Sequence, residues 1–199
     1  MSAVYGAINQ GRAAEELADV EQTFAADADL TQVAEAPNVK RKAEVLARQF
    51  ASQATAETGV GRIKIPSIGV DYVFLNGTDT SPLQRGPGRY PETAFPGQDR
   101  TVGIAGHQTT HLAPFRKIDD LDEGDEIIVE MPYATFTYAV EKSEIVKPTD
   151  AQIVDDTGRE RLVLTACHPL FSAAEYYALF CRAGRYRAPQ GAPLDGRHS

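Results

Sequence analysis

Two cysteines, Cys167 and Cys181, are all that this chain of 199 residues contains, so a framework of disulfides is excluded and at most one bridge remains. Long apolar runs are missing as well. No stretch approaches the roughly 18–20 apolar residues of a membrane span, and Met1-Ser-Ala-Val-Tyr-Gly6 lacks the basic start and apolar centre of a signal peptide. Taken literally this reads as a cytoplasmic chain, and a chain cut just after a membrane anchor would read the same way. Basic charge is also short. The 20 Lys and Arg face 28 Asp and Glu for a net charge of −8, which argues against a nucleic-acid partner, since nucleic acid wants a basic face. What remains, 42% hydrophobic and 24% charged residues, suits one globular domain with some polar extension.

Residues 11–55 are rich in Ala, Glu, Gln and Arg and read as helix. Leu17, Val20 and Phe24 follow helical spacing, as do Val39, Ala43, Leu46 and Phe50, with Pro37 between the two stripes. Both stripes are thin, so residues 1–59 are expected to be a helical segment that lies against a domain or projects from it, with a stalk or linker the favoured reading. From residue 60 the texture turns to strands. Arg62–Ile68, Asp71–Leu75, 101–107, Glu126–Met131, 135–146, 161–167 and 175–183 are short apolar or alternating runs. Ser81–Gln98, with its prolines and glycines, reads as a long ordered loop. Ala113–Leu121 reads as a short helix with Phe115, Ile118 and Leu121 on one face. Seven or eight short strands with sparse helices indicate a mainly β fold, a closed or nearly closed barrel over residues 60–187. Residues 188–199, with Pro189, Gly191, Pro193 and Gly196, read as a disordered tail.

Chemistry concentrates at two strand ends. The run Arg161-Leu-Val-Leu-Thr-Ala-Cys167 closes in a thiol before His168-Pro169, and Thr101-Val-Gly-Ile-Ala-Gly-His107 closes in an imidazole. A thiolate can attack an acyl carbon, and a nearby imidazole can hold it as an ion pair and then protonate the leaving amine. Core packing is the plainer role for a cysteine. A metal site built from His107, His111, Cys167 and His168 is the third reading. Against it, residues 108–113 do not read as a helix that would align the two histidines, and adjacent residues on extended backbone point to opposite sides. No metal and no cofactor is expected. If 161–167 and 175–183 pair as a hairpin, Cys167 faces residue 176 and Cys181 lies ~16 Å further along. That is beyond the ~7 Å a disulfide allows, so two free thiols are expected, Cys181 as a small core residue.

Four segments in order carry a resemblance: Gly88-Arg-Tyr-Pro-Glu-Thr-Ala-Phe-Pro-Gly97, Gly103-Ile-Ala-Gly-His-Gln-Thr-Thr110, Ala113-Pro-Phe-Arg-Lys-Ile-Asp-Asp-Leu121 and Leu164-Thr-Ala-Cys-His-Pro-Leu-Phe-Ser172. Together they resemble the sortase family, and most of all its class E enzymes of actinobacteria. The resemblance implies the sortase β-barrel and a cysteine transpeptidase held at the outer face of the cell envelope by a membrane anchor. It implies Cys167 as nucleophile and His107 as acid–base residue. Its partners would be sorting-signal peptides of the Leu-Pro/Ala-x-Thr-Gly type, cut after threonine through a thioester, and an amine of a cell-wall precursor or a pilin. Thr165, Ala166, His168 and Tyr176 are the substrate-binding candidates that flank the nucleophile.

One position departs from the family pattern. An arginine is expected nine residues after the cysteine, at the start of the last strand, and here that residue is Tyr176. The arginine would hold substrate and oxyanion, so its replacement removes a charge-assisted donor. Arg182 shares the strand face by parity but lies about 20 Å away. The expectation is therefore a sortase-type enzyme with Tyr176 at the arginine position, or a weakened or binding-only relative that captures sorting signals.

Overall fold

The computed structural model describes residues 2–109, 112–147, 149–168 and 175–187, with the side chains of 2–4, 151, 167 and 168 left aside. The expected tail, 188–199, lies outside the described residues. Three helices come first: α1 (Ser2–Asp27), α2 (Leu30–Glu35) and α3 (Val39–Gln53). The strands follow as β1 (Gly59–Ile65), β2 (Val70–Asn76), β3 (Gly88–Arg89), β4 (Thr101–Gly106), β5 (Glu126–Met131), β6 (Ala134–Val146), β7 (Arg161–His168) and β8 (Glu175–Arg187). A short helix, α4 (Thr80–Arg85), stands between β2 and β3. The strands close into a barrel in the order β1-β2-β3-β4-β7-β8-β6-β5, the mainly β architecture expected. Its two parallel contacts are β2 with β3 and β4 with β7.

Alternation along each strand builds the core. On β7, Leu162, Leu164 and Ala166 enter the barrel interior, where Ile63, Ile104, Val129, Tyr138 and Leu179 also stand. Val163 turns outward and packs with Ala178, Phe180 and Val154 in a smaller outer cluster. The two-residue period of a strand dictates this division. Cys181 is fully buried and free, and burial pushes its thiol pKa well up. On β8 it stands opposite Leu162, while position 167 stands opposite Tyr176.

The helices do not form a stalk. Phe24 of α1 and Phe50 of α3 are buried in the same core as the barrel strands. Phe50 is the hub: its ring centroid lies 5.4 Å from Phe24, 5.2 Å from Phe95 and 5.5 Å from Tyr133. Tyr133, in the β5–β6 turn, donates its hydroxyl to the Pro96 carbonyl at 2.7 Å. Asn38 caps α3 by accepting from the Arg41 amide, the usual way to satisfy a first-turn donor. Along α1, Gln10 acts as a strand mimic. Its Nε2 donates to Val73 O and Arg85 O, and its Oε1 accepts from Val73 N.

Two further expectations give way. Ser81–Gln98 is not all loop, because Thr80–Arg85 is helical and Gly88–Arg89 pairs with both β2 and β4. Pro82 falls in the helix's first turn, where a missing amide costs nothing. Ala113–Leu121 is not a helix but a series of turns ending in one 3₁₀ turn, Ile118–Asp120. Leu112 and Ala113 have φ of 71° and 44°, in the left-handed region where a right-handed helix cannot continue. Phe115, Ile118 and Leu121 are nonetheless buried together, as their spacing required.

Candidate active site

The parallel pairing of β4 with β7 sets the geometry. It runs in step from Thr101 opposite Arg161 to Gly106 opposite Ala166. The next residue on one strand is His107 and on the other Cys167. Neighbouring strands lie about 4.8 Å apart, so these two backbones end side by side. The antiparallel β7–β8 ladder then sets Tyr176 opposite Cys167. Positions 107, 167 and 176 thus form one row across three adjacent strands. Arg182, by contrast, pairs with Arg161 at the other end of β7, too far along the ladder to serve this row.

A groove of about 180 Å³ opens along the row. Its floor is Ala105, Gly106, Thr165 and Ala166, with His107 and Tyr176 also lining it. Thr78 and Leu83, which flank and belong to α4, and Tyr90, just past β3, supply the remaining wall. Small residues on the floor leave backbone and methyl groups open to an extended peptide. Among the described residues lining this groove, none is a lysine or an arginine.

Three anchors hold the wall and the histidine. The Tyr90 hydroxyl and Thr165 Oγ1 are hydrogen-bonded at 2.8 Å. Gly103 makes room for the Tyr90 ring, because a methyl there would stand 2.9 Å from Tyr90 Cδ2. Below Tyr90, Arg89 is 5% exposed. It donates through Nε and Nη2 to Asn76 Oδ1, at 3.0 and 2.7 Å, and through Nη1 to the Thr93 carbonyl. Its guanidinium carbon sits 4.0 Å from the Phe95 ring centroid. Burial without a carboxylate in contact pulls its pKa down to about 10. His107 itself is half-buried, and its carbonyl accepts from the Phe115 amide at 3.1 Å. Next to it Gln108 is buried, with Nε2 at 3.4 Å from Asp119 Oδ1.

Of the residues singled out from sequence, the structure gathers His107, Thr165, Ala166 and Tyr176 on one groove, with position 167 in the same row. The side chains of Cys167 and His168 lie outside the described residues, as does His111. The metal alternative drew three of its four groups from these. Among the described residues no three His, Cys, Asp or Glu side chains gather around a common point. Sequence reasoning quoted Tyr90 within a motif but gave it no role, and it passed over Thr78 and Leu83. The signal for Tyr90 was Gly103, a glycine inside a strand, which marks close approach by a neighbour.

The barrel is closed and mixed, and a histidine and a cysteine follow the last paired rung of two adjacent parallel strands. The sortase domain family profile matches residues 63–183, and the chain belongs to the sortase family. It is 33% identical over 116 residues to sortase D of Bacillus subtilis, covering 57% of each chain. It is 30% identical over 131 residues to sortase SrtE1 of Streptomyces coelicolor, covering 58% of this chain and 37% of that one. The chain thus spans little more than half, or less, of the length of these curated relatives. Among solved structures, sortase E1 of Streptomyces coelicolor, with a tripeptide in its active site, superposes with a TM-score of 0.64 at 28% identity, covering 70% of this chain and 98% of that one. A sortase D5 transpeptidase of Clostridium perfringens gives 0.69 at 20% identity, covering 88% and 99%, a likeness of fold. Among the described residues no helix is long and apolar enough to cross a membrane.

Proposed function

We propose that this chain is a sortase-type cysteine transpeptidase of the cell envelope, acting on the outer face of the membrane. Cys167, as thiolate, attacks the threonine carbonyl of a Leu-Pro/Ala-x-Thr-Gly-like sorting signal. The threonine–glycine amide then breaks, and His107 as imidazolium gives its proton to the departing glycine amine. An amine of a cell-wall precursor or a pilin next attacks the thioester, loses a proton to His107 and expels the Cys167 thiolate. Thr165, Ala166 and Tyr176 line the peptide's path, and His168 is assigned a substrate contact on its sequence position alone. The observation that carries this reading is the in-step pairing of β4 and β7, which ends His107 and Cys167 side by side above an open groove.

A second reading is favoured by one specific residue. Tyr176 occupies the place opposite Cys167 where the family pattern has an arginine, and no lysine or arginine among the described residues lines the groove. A phenol can donate one hydrogen bond to a developing oxyanion, but without charge. Losing a donor of this kind typically costs about 10²–10³ in rate. The chain is then an impaired enzyme, or a module that captures sorting signals without turning them over.

Cleavage of a quenched Leu-x-x-Thr-Gly peptide tests both. Cys167→Ala should abolish cleavage and the trapped thioester, and unchanged cleavage would end the enzyme reading. Tyr176→Arg should raise turnover by about 10²–10³ if the missing charge is the limitation. If neither form traps a thioester while both bind peptide, the chain is a binding module.

A further inference from the structure

The segment that starts at His107 is held from an unexpected side. A methyl placed on Gly6, in the second turn of α1, would stand 2.0 Å from Leu112 Cδ2 and 2.6 Å from its Cγ. Leu112 therefore packs directly on bare helix backbone, some hundred residues away in sequence. Leu112 and Ala113 both hold positive φ, 71° and 44°. Side chains keep such conformations only where the surroundings over-determine them. Gly6 of α1 stands against Leu112, and just beyond the pair the chain is fixed by the buried Phe115 ring beneath Gly106. The same helix reaches the opposite wall of the groove. Gln10 bonds the last carbonyl of α4, and Glu16 pairs with Arg85 at 2.7 Å.

We propose that Gly6 and Leu112 are positioning residues for the reaction, with α1 acting as a brace that sets the His107 segment against the Cys167 strand end. The inference rests on the assignment of Cys167 and His107 as reacting partners. Glycine is required at position 6 because any side chain would occupy the seat of Leu112, and the branch carbon is struck as well as the tip. Turning a methyl aside does not clear it. Displacing Leu112 lets the strained pair relax and moves the backbone that follows His107, while the α4 wall keeps its separate ties through Gln10 and Arg85. The predicted signature is a change at the histidine–cysteine pair with peptide binding little altered.

Iodoacetamide alkylation of Cys167 against pH reads that pair without any substrate, and Cys181 stays silent because it is fully buried. The full chain is compared as wild type, Gly6→Ala, Gly11→Ala and Leu112→Ala. Both glycine variants gain helix propensity, but a methyl at Gly11 meets nothing within 4 Å. Gly6→Ala and Leu112→Ala should each shift the alkylation profile by roughly half a pH unit or more. They should also lower kcat on the peptide about fivefold or more while KM stays within about twofold. Gly11→Ala should match wild type. The double variant Gly6→Ala/Leu112→Ala, in which the new methyl has room, should lose less than the two single losses summed.

If Gly6→Ala and Leu112→Ala give the wild-type profile, the brace does not position the pair. If Gly11→Ala shifts the profile as much as Gly6→Ala, the effect belongs to the helix and not to the contact, and the proposal is equally wrong. His107→Ala separates the underlying assignment. If it leaves wild-type alkylation unchanged, His107 and Cys167 are not coupled and both readings fall. If it alters the profile while Gly6→Ala does not, only the brace fails.

Discussion

Replacing Gly106 by alanine should weaken the fold and the candidate site together, by amounts that the structure sets. A methyl at this last residue of β4 would stand 2.5 Å from Phe115 Cδ2, 2.7 Å from Cε2 and 3.0 Å from Cγ. Carbon atoms settle at about 3.5–4.0 Å, so the ring must retreat by about 1 Å. Phe115 is fully buried and cannot retreat into solvent. Overpacking of this kind costs about 1–3 kcal/mol, and for a chain of this size each kcal/mol lowers Tm by about 2–4 °C. A fall of about 2–12 °C is therefore expected in a thermal melt followed by circular dichroism. The Phe115 amide also donates to the His107 carbonyl, so the displaced ring drags the histidine's backbone with it. Misplacing an acid–base group by about 1 Å can cost 10²-fold in turnover. Adding Phe115→Leu to Gly106→Ala frees the contested space and should restore part of both losses. A melt unchanged within about 1 °C, against the fall expected from overpacking, would refute the claim that Phe115 bears on Gly106. A lower melt with full turnover would show that the ring does not place His107.

Other outcomes follow from single contacts. Phe50→Ala removes the hub between α1, α3 and the barrel and should cost about 3–5 kcal/mol in denaturant unfolding; a loss below ~1 kcal/mol would mean the helices do not share the barrel's core. Asn76→Ala takes away the side-chain acceptor of buried Arg89. Leaving that cation short of partners should cost on the order of 3 kcal/mol and loosen the Tyr90 wall, which intrinsic tyrosine fluorescence quenching would report. Glu160 is held near Tyr138 and the Gly97 amide, and burial raises its pKa above the usual 4.5. The folded state then binds its proton more readily than the unfolded chain, so stability should decline as pH rises from about 4.5 through the raised value. Glu160→Gln should flatten that part of a Tm–pH curve, and an identical slope would exclude Glu160 as its source.

Much of the barrel could be read from local pattern, because β4 to β8 carry clear apolar alternation and end at turns. The β7–β8 register followed from hairpin geometry alone, and position 167 does stand opposite 176. The helices were harder. Leu17, Phe24 and Phe50 lie on stripes too thin to predict a buried face: Leu17 is buried against Val73 and Leu75 of β2, and Phe24 and Phe50 in the aromatic cluster under the β5–β6 turn. Pro82 and the glycines around it disguised α4, since a proline tolerated in a first turn looks the same as one that breaks a loop. Over Ala113–Leu121 the apolar spacing suggested a helix, whereas left-handed backbone at residues 112 and 113 decided otherwise. The candidate site was half visible. Cysteine and histidine at strand ends were evident, but the parallel pairing that unites them depends on a long crossover with no local signature. Tyr90 joins the groove through the room left at Gly103 and its bond to Thr165, neither of which its own sequence neighbours signal.

The pairing of β4 with β7 has an offset of sixty residues at every rung from Thr101–Arg161 to Gly106–Ala166. Alignment of the two strand ends is therefore stored in the ladder itself, as a count, and not in any contact between the two side chains. An exposed turn of the connection between the strands, such as residues 122–124, can lengthen or change its sequence without moving one end against the other. An insertion of a single residue inside either strand has the opposite effect, because it turns every following side chain to the other face. Insertions should thus be tolerated at an exposed turn of the connection such as residues 122–124, and almost nowhere within the twelve residues of ladder.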